Sequence, residues 1–162
     1  MSRARWTARW IAQWIARCIA GGFGTGFAPV AAGTVASAVA TLVGAALLWW
    51  SPFALPAAVL LAILGGVWAV RAVQVEGDPG WVVIDEFAGQ WIALLGPAAV
   101  TPLGLLAAFL LFRLLDVTKP GPVGWADRRH GAGWIMADDL IAGAIAAGIL
   151  WAVRWRWPGV FG

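Results

Sequence analysis

The stretch that decides the fold is residues 85–116, DEFAGQWIALLGPAAVTPLGLLAAFLLFRLLD. It is apolar between two acidic ends, Asp85-Glu86 and Asp116, and is long enough for one tilted membrane helix. Gly96-Pro97 and Thr101-Pro102 argue for a break. Proline removes a backbone donor and disfavours helix in the residue before it, so two short helices are expected, 85–96 and 102–116, joined by a turn. The distinction matters for the acids. One helix would hold Asp85 and Asp116 on opposite sides of a bilayer. A hairpin returns Asp116, and after it Lys119, Arg128 and Arg129, to the end where Asp85 begins.

The same pattern of acid beside hydrocarbon holds on either side. All eight carboxylates lie between Glu76 and Asp139, most in short clusters against apolar runs. Such a side chain is costly to bury unless it is paired, protonated or bound to a cation, so Asp85, Glu86, Asp116, Asp138 and Asp139 are functional candidates. Hydrophobic residues make up 62% of the chain and charged residues 12%, against about a quarter charged in soluble domains. This is the composition of an integral membrane protein. Seven of the eleven basic residues fall outside the acidic window, on flanks suited to anionic headgroups. The expected partner is the lipid bilayer, not nucleic acid. A lone Cys18 excludes an internal disulfide and a thiolate metal cluster.

Two apolar segments, 35–50 and 53–70, are separated by Ser51-Pro52, a break suited to a tight hairpin, and a last one runs from 138 to about 154. With the two arms of 85–116 that makes about five short membrane helices. Ahead of them, Trp6, Trp10, Trp14 and Cys18 recur every fourth residue beside Arg5, Arg9, Gln13 and Arg17. That double stripe predicts an amphipathic helix over 1–20 lying in the membrane interface; the other reading is a helix packed on a protein core. The fold class expected is all-α: a compact multi-helix integral membrane bundle over 21–162, preceded by the interfacial helix. Holding the N-terminal arginines inside puts Arg71 and the acidic loop 76–86 on the cytoplasmic face. Arg154 and Arg156 are then left outside, against the positive-inside tendency.

Three motifs carry chemistry. Gly21-Gly22-Phe23-Gly24-Thr25-Gly26, followed by Pro29 and Gly33-Thr34, leads into the first long helix. Glycines let backbone amides turn toward a ligand and a helix N-terminus favours anions, so this segment reads either as a phosphate cradle or as a flexible entry loop. Asp85-Glu86-Phe87-Ala88-Gly89 and Asp139-Leu140-Ile141-Ala142-Gly143 share an Asp-x-x-Ala-Gly pattern. On a helix each acid then sits one turn above a small-residue notch, and two helices crossing at their notches would bring Asp85 and Asp139 within reach of one cation. The competing reading is that Asp85 and Asp138 cap helix starts. Arg113 and Asp116 stand one turn apart and can simply pair. His130 is the only histidine, so a His-rich zinc site is excluded, and an all-oxygen donor set points to Mg²⁺ or Mn²⁺.

Taken in order, Gly22-Phe23-Gly24-Thr25-Gly26-Phe27-Ala28-Pro29 through Gly33-Thr34-Val35, Ile84-Asp85-Glu86-Phe87-Ala88-Gly89, Phe112-Arg113-Leu114-Leu115-Asp116 with Lys119-Pro120 and Pro122, and Asp127-Arg128 with Asp138-Asp139-Leu140-Ile141-Ala142-Gly143 resemble the phosphatidylglycerophosphatase A family from about residue 22 to 150. The pattern departs from that family at Ala32, Ala36, Gly121 and Ala126. The resemblance implies an all-helical, Mg²⁺-dependent, multi-pass enzyme of the inner (cytoplasmic) membrane. It would hydrolyse phosphatidylglycerophosphate, a membrane phospholipid, to phosphatidylglycerol and phosphate at the cytoplasmic face.

Combined with the residue chemistry, Asp85, Glu86, Asp116, Asp138 and Asp139 are the expected metal ligands, with Asp85, Glu86, Asp116 and Asp139 the catalytic set. Thr25, Thr34, Arg113, Lys119 and Arg128 are the expected phosphate contacts. Neighbouring helical residues point about 100° apart, so only one acid of each adjacent pair is expected at the ion. The group that activates water stays open between an uncommitted carboxylate and the metal itself. Rival chemistries lack their residues: there is no Asp-x-Asp nucleophile motif, no second histidine, and no arginine loop after Cys18. The alternative from another class is a non-enzymatic membrane carrier or cation-binding protein, whose acids would sit near mid-span.

Overall fold

The computed structural model describes residues 3–75, 77, 79–97 and 100–161, with side chains at Thr7 and from residue 9 onward. Glu76, Asp78, Arg3, Arg5 and Trp6 lie outside the described backbone or side chains, so the part of the expected acidic loop 76–86 that rests on Glu76 and Asp78 falls outside the described residues. Among the described residues every regular element is helical. The order is α1 (Arg3–Ala20), a 3₁₀ segment (Gly22–Phe27), α2 (Ala32–Trp50), α3 (Ala54–Val73), α4 (Ile84–Leu94), α5 (Pro102–Thr118), α6 (Pro122–Asp127) and α7 (Ala132–Arg156).

The break inside 85–116 falls where the prolines put it. Thr101 caps α5, its Oγ1 accepting from the Gly104 amide at 3.2 Å, and Pro102 occupies the first turn, where its missing N–H costs nothing. The same hydroxyl donates to the Phe161 carbonyl at 2.7 Å, which folds the C-terminal residues back over the hairpin tip. α2 and α3 turn at Ser51-Pro52 as expected.

Three helices are long and apolar enough to cross a membrane: α2 with 19 residues, α3 with 20 and α7 with 25. Among the described residues these three are the full-length candidates; α4 and α5 are shorter. At 1.5 Å per residue α4 is only about 17 Å long, half a bilayer core, because Gly96-Pro97 ends it early. Its residues Asp85, Phe87, Ala88, Gly89, Gln90, Ala93 and Leu94 are all buried. α4 is therefore the inner stave of the bundle, enclosed by α2, α3, α5 and α7. Their outer faces expose Leu42, Leu61, Leu64, Leu106, Leu110 and Ile149, the belt expected against lipid.

The last helix departs from expectation as well. It begins at Ala132, six residues before the predicted start at Asp138, with Gly131 (φ 110°) at its N-cap. Asp138 and Asp139 thus lie two turns inside α7, and the reading of Asp138 as a helix cap is overturned. Asp85 is likewise one residue inside α4, whose N-cap is Val83 with no side-chain cap. α6 is a short helix over Pro122–Asp127, a segment for which no helix was expected. In α1, Ala16 and Ala20 are buried against α3 while Trp10 and Trp14 are each 68% exposed.

Candidate active site

Two glycines set the spacing of the helices that carry the acids. A Cβ on Gly89 would stand 2.6 Å from the Asp139 carbonyl oxygen and 2.6 Å from Phe112 Cε2, and a Cβ on Gly143 would collide with the Gly89 carbonyl. α4 and α7 therefore touch backbone to backbone at the two Asp-x-x-Ala-Gly notches, as small residues permit. They run in the same direction, since Gly96, just past the end of α4, meets Ala147 farther along α7. Trp91 ties α4 to α2 from the other side, donating Nε1–H to the Ala40 carbonyl at 2.8 Å.

The acids converge as a consequence. Asp85, Glu86 and Asp139 each place a carboxylate oxygen within 4.8 Å of the others, and Asp116, Asp138 and Asp139 do the same. Asp139 belongs to both groups. All five predicted metal ligands are thus brought together, from the first turn of α4, the last turn of α5 and the second turn of α7. Both acids of each adjacent pair lie in the cluster: Asp85 with Glu86 in one group, Asp138 with Asp139 in the other. The helices approach so closely that side chains splayed about 100° apart still point into one space.

Two cations face this cluster. Arg113 donates to Asp116 Oδ2, and Lys119 Nζ bridges Asp127 Oδ1 and Asp138 Oδ2, the latter at 3.0 Å. Lys119 reaches inward because it ends α5 in the left-handed conformation (φ 47°), with its amide on the Leu115 carbonyl at 2.9 Å. Burial alone would lower its pKa, but the hydrogen bonds it donates to Asp127 and Asp138 outweigh that and raise it, so the ammonium stays charged. Five clustered carboxylates against Arg113 and Lys119 leave three negative charges in excess when all are ionised. Glu86 Oε2 is sealed from solvent with no hydrogen-bond partner among the described residues. An excess of buried oxygen donors with an orphaned carboxylate atom fits a hard divalent cation, which takes oxygen ligands.

The remaining predicted residues divide. Gly33 opens α2 against Glu86 Oε1 and near Arg113 Nη1, so the first turn of α2, with exposed Thr34, borders the acids. Thr25 turns its hydroxyl onto its own loop, donating to the Gly22 carbonyl at 2.9 Å. That loop packs on the chain leading into α4, Gly26 against the Trp81 carbonyl and Gly22 against Val83 and Phe87. Arg128 is exposed at the end of α6. Sequence reasoning missed Asp127 as a partner of Lys119, and Gln90, a fully buried amide one turn beyond Glu86. It also missed Arg129, which lies 4.1 Å from the Trp125 ring centroid and 4.8 Å from that of Trp134. Arg129 and His130 line a cavity of about 460 Å³ together with Arg71, Gln74 and Asp127. The buried amide in an otherwise apolar stretch was the one visible signal.

Comparison with known proteins bears on this geometry. A family profile described as Phosphatidylglycerophosphatase A matches residues 18–154. The Phosphatidylglycerophosphatase A of Escherichia coli (strain K12) is 39% identical over 113 residues, 67% of this chain and 64% of that protein. A Bacteroides thetaiotaomicron protein named "Putative phosphatidylinositol-3-phosphatase" is 35% identical over 117 residues, 68% of this chain and 69% of its own length. The Phosphatidylglycerophosphatase A of Haemophilus influenzae is 37% identical over 79 residues, 48% of each chain. The matched region thus spans just under two thirds of the Escherichia coli relative, at 64%. No solved structure gives a significant match. With the profile covering residues 18–154 and all four motif regions inside it, the chain belongs to the phosphatidylglycerophosphatase A family.

Proposed function

We propose that this protein is a Mg²⁺-dependent lipid phosphatase that hydrolyses phosphatidylglycerophosphate to phosphatidylglycerol and inorganic phosphate. The observation that carries the reading is the convergence of Asp85, Glu86, Asp116, Asp138 and Asp139 at one end of the bundle, with more negative charge than Arg113 and Lys119 balance. A carrier would be expected to hold its acids near mid-span. Here they gather where α4 begins and α5 ends.

The five acids would hold the ion. When bound, it supplies charge neutralisation and alignment for the transferred phosphoryl group. Arg113 and Lys119, already beside the carboxylates, are placed to share their protons with phosphate oxygens. The first turn of α2 at Gly33-Thr34 offers backbone amides on the same border. Water adds to phosphorus, the bond from phosphorus to the glycerol oxygen breaks, and that oxygen takes up a proton. A carboxylate of the cluster not engaged in binding is the base that receives the proton of water.

The finer membrane arrangement follows from the same reading. α2, α3 and α7 cross, while α4 and α5 form a hairpin entering from the side of the acids, its polar groups shielded by protein. α1 lies in the interface, with Trp10 and Trp14 toward the headgroups. The acids then face the cytoplasmic side of the inner membrane, where Arg9, Arg17 and Arg71 favour retention.

The deciding experiment is phosphate release from purified protein in mixed micelles with Mg²⁺, comparing phosphatidylglycerophosphate, phosphatidate and phosphatidylinositol 3-phosphate. Preference for the first supports the assignment. Preference for the inositol lipid would move it to the activity in the name of the Bacteroides relative. Release from none of the three, across metals and detergents, would favour the carrier.

A further inference from the structure

Buried polar atoms need partners, and among the described residues three side-chain atoms lack them: Glu86 Oε2, Gln90 Nε2 and Gln90 Oε1. The buried polar side chains of the neighbouring helix α2 are satisfied. Ser37 Oγ donates to the Gly33 carbonyl and Thr41 Oγ1 to the Ser37 carbonyl, each at 2.8 Å. Gln90 is 0% exposed inside the central helix α4. An amide there is destabilising if unpaired. Leucine or methionine would fill the space without that cost.

The orphaned atoms are complementary. Gln90 Nε2 is a donor and Glu86 Oε2 is an acceptor, and the residues stand four apart on one helix, the spacing at which side chains meet. Glu86 Oε1 faces Gly33 at the start of α2, so Oε2 is the atom left to be fixed from within the bundle.

We propose that Gln90 is the positioning residue of the site: its Nε2–H holds Glu86 Oε2 over one buried water, and so sets the angle at which the Glu86 carboxylate meets the cation. The inference rests on the cation reading given above. It assigns Gln90 no contact with substrate or ion. Partners that orient metal-ligating carboxylates typically change metal affinity 10–100-fold when removed.

The test is Mn²⁺ binding by electron paramagnetic resonance and thermal unfolding on detergent-purified protein: wild type, Gln90→Met, Glu86→Gln and the double variant. Met keeps length and volume without a donor. Expected is a loss of Mn²⁺ affinity of about tenfold or more in Gln90→Met with Tm unchanged or raised, and no further loss when it is added to Glu86→Gln. Wild-type affinity in Gln90→Met, or losses that multiply fully in the double variant, overturns the inference while leaving the cation reading intact. Wild-type protein that binds no Mn²⁺ overturns both. Should Gln90→Met fail to fold, Gln90→Leu is read by the same two outcomes.

Discussion

Replacing Gly89 by alanine probes the feature on which the site is built. The added Cβ would lie 2.6 Å from the Asp139 carbonyl oxygen and 2.6 Å from Phe112 Cε2, whereas ordinary contact begins at 3.4 Å. α4 and α7 must separate by roughly 0.8 Å, and the first obstacle is backbone, which cannot rotate away. Productive sites tolerate about 0.5 Å of displacement, and a 1 Å misplacement costs on the order of a hundredfold in rate. Expected for Gly89→Ala is therefore a fall in kcat/KM of about a hundredfold, or about 2.7 kcal/mol of transition-state stabilisation at 1.36 kcal/mol per decade. Stability should drop by about 1–3 kcal/mol, as for overpacked cores. Gly148→Ala is the control: it lies in α7 with nothing within 4 Å of the added carbon. It should leave activity unchanged and add up to about 1 kcal/mol of helix stability. Phosphate release, with circular dichroism to verify helix content, reads both variants. Wild-type turnover in folded Gly89→Ala would refute the link between helix spacing and catalysis.

Other outcomes follow from the same geometry. Asp139→Asn removes the residue common to both carboxylate groups and should lower phosphate release at least about a hundredfold, on the scale of the several kcal/mol a bound ion contributes. Asp85→Asn should also be severely impaired, and wild-type turnover in both variants, measured at saturating Mg²⁺, would defeat the catalytic assignment. A chelator should stop phosphate release and added Mg²⁺ or Mn²⁺ should restore it; activity persisting after exhaustive chelation contradicts the cation requirement. The raised pKa of Lys119 gives a pH prediction. Its ion pairs contribute stability fully below the unfolded lysine value of about 10.4, lost only as pH rises through the still higher folded value. Between pH 6 and 9, Lys119→Arg should therefore leave the shape of the rate profile unchanged, and a shifted alkaline limb there would contradict the assignment.

Local chemistry made much of this molecule legible. Gly96-Pro97 and Thr101-Pro102 broke the hairpin where the rules for proline place a break, and the repeated Asp-x-x-Ala-Gly pattern marked the two surfaces that meet. What escaped was governed by tertiary contact. The last helix was expected to start at Asp138, yet Gly131 caps α7 and the residues that follow extend it two turns before Asp138. Lys119 looked like a free phosphate ligand because its partners lie 8 and 19 residues away. Sequence also gives no measure of how closely two helix backbones approach. Nor did the five apolar segments reveal that α4 is enclosed by other helices, so that its hydrophobicity serves the protein interior.

The most direct measurement is an anomalous-difference map from crystals of the detergent-solubilised protein soaked in Mn²⁺. A peak bounded by Asp139 together with Asp85 and Glu86, or with Asp116 and Asp138, is expected. A peak elsewhere, or none at these carboxylates while activity in the same preparation depends on Mn²⁺, would contradict a cation centre shared by α4, α5 and α7.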